Sequence, residues 1–436
     1  MKRLFLTLIL ALLAIFIYSF LSGTLLFKDQ QEYLQTASNL MNNNLLYSKN
    51  TTDFIDYRSF AKRPLAIPLY VLFNHQNIYL IRVSQATVIL LIFFIGLLFL
   101  RVFTSTKRSF LLFGVLFSLN FTFLVHSSFV FADLLLSAIV TIATFLYFDK
   151  RNAEKNKSIW LGFLWAIALA IKPVLLPSLV FIPFLMGYYL IKKNEIYWTF
   201  LFPFLVYFFT SSLNYQNTGR FEYSSMTTIN LVQYNARLTI ADAFGYDSAM
   251  AFSENKAFTI PRSKEEYARY KVEASTICTT AILDNISSYI KIHVMGSVKM
   301  VLDPGRVELY SYFGLPTEND SLTEAFIGGR YNQAVNQLKD GGWLIIVFLA
   351  LLGISLLKLA GFIFSIKTIG KTWPLFVVVG YFMAVTGPVG AARLFLPGSV
   401  VFLIISVLGL EKMLYFFQKR SKRQNVLSKF FFSLFP

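Results

Sequence analysis

The chain has 436 residues, 56% of them hydrophobic and 17% aromatic, with only 14% charged and a mean hydropathy of +0.58. A soluble globular domain carries about 25% charged residues, so this composition argues against a water-soluble enzyme. The single cysteine, Cys278, removes any internal disulfide framework and any multi-cysteine metal site.

Charge-free windows occur in order at 4–27, 83–100, 109–132, 134–148, 158–171, 173–191, 197–219, 341–357, 372–392 and 394–410. A bilayer-spanning helix needs roughly 20 mainly apolar residues, so the windows predict an all-α polytopic membrane protein with about ten transmembrane helices. The first window follows Met1-Lys2-Arg3, exceeds the apolar run of a signal peptide and lacks a small-x-small cleavage site; it reads as an uncleaved signal anchor. After it, Tyr33, Leu34, Ala37, Leu40 and Met41 fall near one helical face, which predicts an amphipathic interfacial helix in the first outer loop, 28–77. Three blocks result. They are an N-terminal module of seven helices over 1–213, a large connection over 214–340, and a three-helix module over 341–436.

Twenty of the 40 lysines and arginines are concentrated in residues 1–3, 101–108, 150–158, 192–195, 358–372 and 412–436. Dense basic charge in short loops marks the cytoplasmic side, so both termini are expected inside and the two long connections outside. The net charge of +17 has the same origin. The tail Lys419-Arg420-Ser421-Lys422-Arg423, with Phe430-Phe431-Phe432 beyond it, reads as a basic patch on anionic lipid. No nucleic-acid recognition module accompanies it.

An ionisable group beside an apolar span costs free energy unless it snorkels or pairs. The few present are therefore informative. Asp29 follows the first span, Lys62-Arg63-Pro64 precedes the second, Asp133 opens the fourth, Lys172-Pro173 separates the fifth from the sixth, and Arg393 opens the last. Chain parity puts all of them at the outward surface. A carboxylate there can serve as general base, and the cations can stabilise charge on phosphate oxygens. Each also has an ordinary alternative: Asp29 as a helix-end charge, Asp133 as a helix cap, Lys172 and Arg393 as snorkelling side chains, Lys62 and Arg63 as a solvated run. His75, His126 and His293 lack ligand spacing, and neither a P-loop nor a G-x-S-x-G motif is present. Glu265-Glu266 and Glu318 with Asp320 read as solvated surface.

The order of the signal anchor, Asp29-Gln30-Gln31-Glu32-Tyr33-Leu34-Gln35-Thr36-Ala37 and Phe60-Ala61-Lys62-Arg63-Pro64-Leu65 resembles the GT-C superfamily of multi-spanning glycosyltransferases. The nearest likeness is to the branch of aminoarabinose transferases and protein O-mannosyltransferases. Ala132-Asp133-Leu134-Leu135-Leu136, Trp160 through Pro173, Asn214 to Ser225 and Ala392-Arg393-Leu394-Phe395-Leu396-Pro397 follow in the same order. The likeness spans most of 1–220 and the final 65 residues. It implies a GT-C-like fold in a bacterial inner membrane and transfer of a sugar from a polyprenyl-phosphate donor to a lipid, glycan or protein acceptor at the outer face. It places Asp29 as the first-loop catalytic acid, Asp133 as the second acidic position and Lys62 as the contact to lipid phosphate. The sequence departs from the pattern at Gln30, where an acid often follows the first Asp, and at Ala61, where the aminoarabinose transferases carry Glu.

The mechanism implied is a single inverting displacement. Asp29 takes the acceptor proton, while Lys62 and Arg63, with Lys172 or Arg393 and with Tyr33 beside them, hold the donor phosphate. Asp133 positions the acceptor. No cofactor is identified; a divalent metal ion on Asp29 and Asp133 is the one candidate. An O-antigen-type polymerase or ligase and a lipid-linked sugar flippase are the alternatives. Polymerases lean on arginine-rich outer loops, and transporters on inverted repeats with polar groups at mid-bilayer, neither of which this sequence shows.

Overall fold

A computed structural model of the chain describes residues 2–21, 28–43, 45–51, 54–149, 154–193, 197–314, 332, 336, 342, 344–367 and 369–421. The basic tail from 422 onward, the 318–320 acidic pair and most of 315–343 lie outside the described residues. The helices are α1 (Lys2–Leu21), α2 (Lys28–Asn43), α3 (Ala66–Phe73), α4 (Ile78–Arg101), α5 (Lys107–Ser118), α6 (Phe121–His126), α7 (Ala132–Phe148), α8 (Glu154–Ile171), α9 (Phe181–Lys193) and α10 (Phe202–Thr218). The second part of the chain forms α11 (Met226–Asn230), α12 (Arg237–Phe244), α13 (Tyr246–Ser253), α14 (Lys264–Asp284), α15 (Ile286–Leu302), α16 (Arg306–Tyr312), α17 (Leu344–Ile366), α18 (Trp373–Thr386) and α19 (Ala392–Ser421). Among the described residues the one β-type pairing is an isolated bridge between Tyr47 and Phe60.

The protein is a helical multi-pass membrane protein. Among the described residues five helical stretches are long and apolar enough to cross a bilayer: Ile78–Arg101, Pro173–Lys192, Leu344–Ile366, Gly370–Val389 and Ala392–Gln418. Shorter apolar helices cover Phe5–Leu21, Ala132–Phe148 and Asn156–Ile171. The faces are sorted by helical period. On α1, Leu8, Leu12, Ile15 and Ser19 are buried, whereas Leu6, Leu10, Leu13, Ile17 and Phe20 are exposed. Exposed apolar stripes of this kind suit lipid.

The ten windows do not map one to one onto helices. The window 109–132 is divided: α5 stops at Ser118, α6 starts after Asn120, and 127–131 runs without helix into α7. A window free of charge cannot register such a break. The last helix runs past its window through Glu411, a good helix former whose carboxylate accepts a hydrogen bond from Thr106 Oγ1 at 2.6 Å. The interfacial helix forms as α2, but its buried face carries Gln30, Glu32, Thr36 and Asn39 beside Tyr33 and Ala37, and Met41 is exposed. Glu265 and Glu266 are exposed at the start of α14, where Ser263 Oγ accepts from the Glu266 amide at 3.2 Å. Residues 289–302 belong to α15. That helix packs on α17, α18 and α19 and exposes Ile286, Ile290, Val294 and Val298 at a spacing of four.

The centre of the bundle is α19, 83% buried over its most apolar stretch. Its main neighbour is α17, and small residues make the contact: a Cβ on Gly361 would overlap the Ser406 carbonyl, and one on Gly409 the Gly361 carbonyl. Helices in lipid gain little from apolar burial, so such close backbone approach supplies the packing. Gly409→Leu is expected to destabilise the protein by about 1 to 3 kcal/mol or more through overpacking, read as a lowered Tm of the detergent-purified chain. An unchanged Tm would mean that the two helices do not touch there.

Candidate active site

The site begins on α2. Asp29 and Glu32 are three residues apart on one helix, so their carboxylates leave the same face. Arg63 inserts between them. Its Nη2 donates to Asp29 Oδ1 at 2.5 Å and to Glu32 Oε2 at 2.6 Å, and its Nε donates to Glu32 Oε2 at 2.9 Å. Lys62 Nζ donates to Glu32 Oε1 at 2.6 Å, and the Arg63 guanidinium lies 4.7 Å from the centre of the Tyr33 ring. From the start of α19, Arg393 pairs through Nη1 with Asp29 Oδ2 at 2.8 Å, its guanidinium 5.3 Å from the Phe131 ring.

A second pair stands beside this network. Asp133, buried in the first turn of α7, accepts a hydrogen bond from Lys172 at the end of α8. Asp133 interacts electrostatically with Arg393 and with Tyr33. Asp29, Glu32, Tyr33, Lys62, Arg63 and Arg393 are thus linked in one network, with Lys62 joined through Glu32, and the Asp133–Lys172 pair is its electrostatic neighbour. Positions 29, 63, 133, 172 and 393, scattered through the sequence, meet at one end of the helix bundle.

Lys62 and Arg63 are presented by an irregular turn. Ala61 adopts a left-handed conformation with φ of 55°, which costs a non-glycine residue about 1 to 2 kcal/mol. Surrounding bonds hold it there. The Ser48 amide donates to Ser59 O at 3.1 Å, the Ser225 amide to Ala61 O at 3.0 Å, and Ser225 Oγ to Arg58 O at 2.7 Å. Behind this turn, Asp56 accepts from Arg58 and Lys49. Ser225 is placed in turn by Asn214, whose Nδ2 donates to Glu222 O at 2.9 Å and to Tyr223 O at 3.0 Å, and by Tyr223, whose hydroxyl donates to Leu169 O at 2.7 Å. Glu222 itself accepts from Tyr267 at 2.5 Å and pairs with Lys271 at 2.6 Å. The 214–225 segment therefore acts on the site through backbone geometry.

Electrostatics sort the groups. Burial raises the Asp29 carboxyl, but the guanidiniums of Arg393 and Arg63 outweigh it and hold the group well below the usual carboxylate range. Burial pushes the Tyr33 hydroxyl up to about 12, so it remains a neutral platform for Arg63. Burial also lowers the Lys62 ammonium, against the attraction of Glu32. Glu308, on α16, has the opposite character to Asp29: burial, with Asp303 adding to it, pushes its carboxyl up to about 7.

Three groups at or near the site were given no role by the sequence: Glu32, Glu308 and His126. Glu32 was detectable, since its spacing of three from Asp29 puts both acids on one face, and it supplies the carboxylate that Lys62 pairs with. His126 is fully buried, with Nδ1 at 2.5 Å from Thr122 O and Nε2 without a partner among the described residues. For a divalent metal ion the residues do not fit. Both oxygens of Asp29 are taken by guanidiniums, Asp133 holds Lys172, and no group of three His, Cys, Asp or Glu able to hold a metal occurs among the described residues.

No protein-family model matches this sequence, and no curated protein matches it. Among solved structures the chain is similar to the crystal structure of ArnT from Cupriavidus metallidurans bound to undecaprenyl phosphate, with a TM-score of 0.39 and 13% identity, over 94% of this chain and 77% of that one.

Proposed function

We propose that this protein is a membrane glycosyltransferase that moves a sugar, with inversion, from a polyprenyl-phosphate donor to a hydroxyl of a lipid, glycan or protein acceptor at the outer face of the membrane. One observation carries the reading: Lys62, Arg63, Lys172 and Arg393 converge with Asp29, Glu32 and Asp133 where the spans end. That is the depth at which the phosphate of a membrane lipid lies. Arg393 remains 32% exposed and can meet a phosphate without leaving its place. Arg63 offers a planar fork suited to phosphate oxygens.

The donor phosphate competes with Asp29 for both guanidiniums. As it binds, Asp29 loses its cationic partners and gains an anionic neighbour, and both changes raise its proton affinity. The carboxylate then becomes able to take the acceptor proton, so the base is activated by the donor itself. Attack of the acceptor oxygen on the anomeric carbon breaks the bond to the phosphate oxygen, and Lys62, Arg63 and Arg393 stabilise the charge left there. Asp133, held by Lys172, positions the acceptor.

The test is a membrane assay with a panel of radiolabelled polyprenyl-phosphate sugars, run beside binding of undecaprenyl phosphate to the purified chain. Label joined covalently to an acceptor is the expected result. Label that crosses the bilayer without forming a new bond makes the protein a flippase, and absence of both transfer and binding overturns the reading.

A further inference from the structure

We propose that Glu308 is the second acid of this site and delivers the proton taken up by the departing polyprenyl phosphate. The assignment rests on the sugar-transfer reading above. Its geometry starts at the turn between α15 and α16. Asp303 Oδ1 accepts from the amides of Gly305 at 2.9 Å and Arg306 at 3.1 Å, which closes the turn. Gly305 has φ of 86°, and a Cβ there would stand 2.6 Å from Thr122 Oγ1. Thr122 Oγ1 also donates to Pro304 O at 3.2 Å. These contacts seat α16 on α6 and bury Glu308 to 3% exposure.

Arg393 couples the two acids. It is ion-paired with Asp29 and within electrostatic reach of Glu308 and Asp133. A phosphate held by Arg393 therefore comes within the fields of both Asp29 and Glu308. Among the described residues no ion pair engages the Glu308 carboxyl, and its own amide is a hydrogen-bond donor to it. The charged groups that act on it most strongly are Asp303 from the preceding turn, Arg393 from α19 and Asp133 from α7. The titratable group of α6 is His126, whose electrostatic partners are Asp133, Arg393 and Lys172.

Two carboxyls whose environments push their proton affinities apart are suited to opposite tasks. Asp29 is held ionised by its arginines, whereas Glu308, raised to about 7, carries its proton below that pH and shares it with solvent near it. In the transfer the acceptor oxygen bonds to the anomeric carbon and its proton passes to Asp29. The bond from carbon to phosphate oxygen breaks, its electron pair stays on that oxygen, and the Glu308 proton joins it. Proton exchange with water restores both groups.

The full chain in membranes is assayed with the polyprenyl-phosphate sugar of highest turnover in the panel, beside binding of undecaprenyl phosphate. Glu308→Gln is expected to lower kcat about 100-fold and leave binding within about threefold. The acid form is the active one, so the wild-type rate should fall as pH rises through about 7, and this fall should vanish in Glu308→Gln. A residue that only caps α16 would alter stability and leave the pH profile in place. If the Gln variant does not fold, Glu308→Asp and an infrared titration of the wild type replace it. The expected signs are reduced turnover with a displaced alkaline limb in the Asp variant and, in the wild type, a protonated-carboxyl band lost near neutral pH. Absence of both overturns the assignment. A wild-type rate and profile in Glu308→Gln overturn this role alone. A wild type that transfers from no donor overturns the sugar-transfer reading and this role with it.

Discussion

Asp29→Asn is expected to cut turnover about 1,000-fold while tightening the hold on undecaprenyl phosphate. The two effects have one cause. In the resting protein the carboxylate occupies an Nη of Arg63 and an Nη of Arg393, so it is the internal competitor of any phosphate that uses the same guanidiniums. A carboxamide of equal size cannot accept the acceptor proton, and it no longer balances two positive charges. Both arginines become available to the donor, and KM falls or holds as kcat collapses. Folding should survive, since Arg63 keeps both of its bonds to Glu32 and Asp29 itself is 31% exposed. Near-normal turnover in this variant would remove Asp29 from the chemistry. Weaker phosphate binding would show that it assists the donor instead of competing with it.

The apolar spans and the charges at their ends were legible for the same reason: an ionised group is so costly beside lipid that the few present stand out. Asp29, Lys62, Arg63, Asp133, Lys172 and Arg393 are visible on that ground alone. What the sequence hides is set by long-range contacts. Glu308 is buried because Thr122, 182 residues from Pro304, fixes the turn before it. No local pattern distinguishes that glutamate from a solvated one. The break at Asn120 is hidden because a run of uncharged residues looks alike whether helical or not. Glu32 was within reach, but a reading of α2 by its apolar stripe leaves its acidic face unread. Ala61 gives no signal either, since its left-handed backbone is imposed by Ser225 and not by its own side chain.

The largest structural penalty should follow removal of Arg63. Its side chain is 8% exposed and stands between two carboxylates, with Tyr33 packed on its face. Truncation to Ala leaves Asp29 and Glu32 facing each other across a void, and loss of one partner from a buried charged network costs about 3 to 5 kcal/mol. Lys62 and Arg393 hold one acid each and cannot bridge the pair. The donor loses its planar fork as well, so Arg63→Ala is expected to lower kcat/KM about 1,000-fold with a clear drop in Tm. Arg63→Lys separates charge from shape: it retains a cation between the acids but surrenders the fork and the stacking on Tyr33. Its Tm should therefore recover further than its undecaprenyl phosphate binding. If both variants melt and bind as the wild type does, the acids on α2 are spectators and the phosphate is held elsewhere.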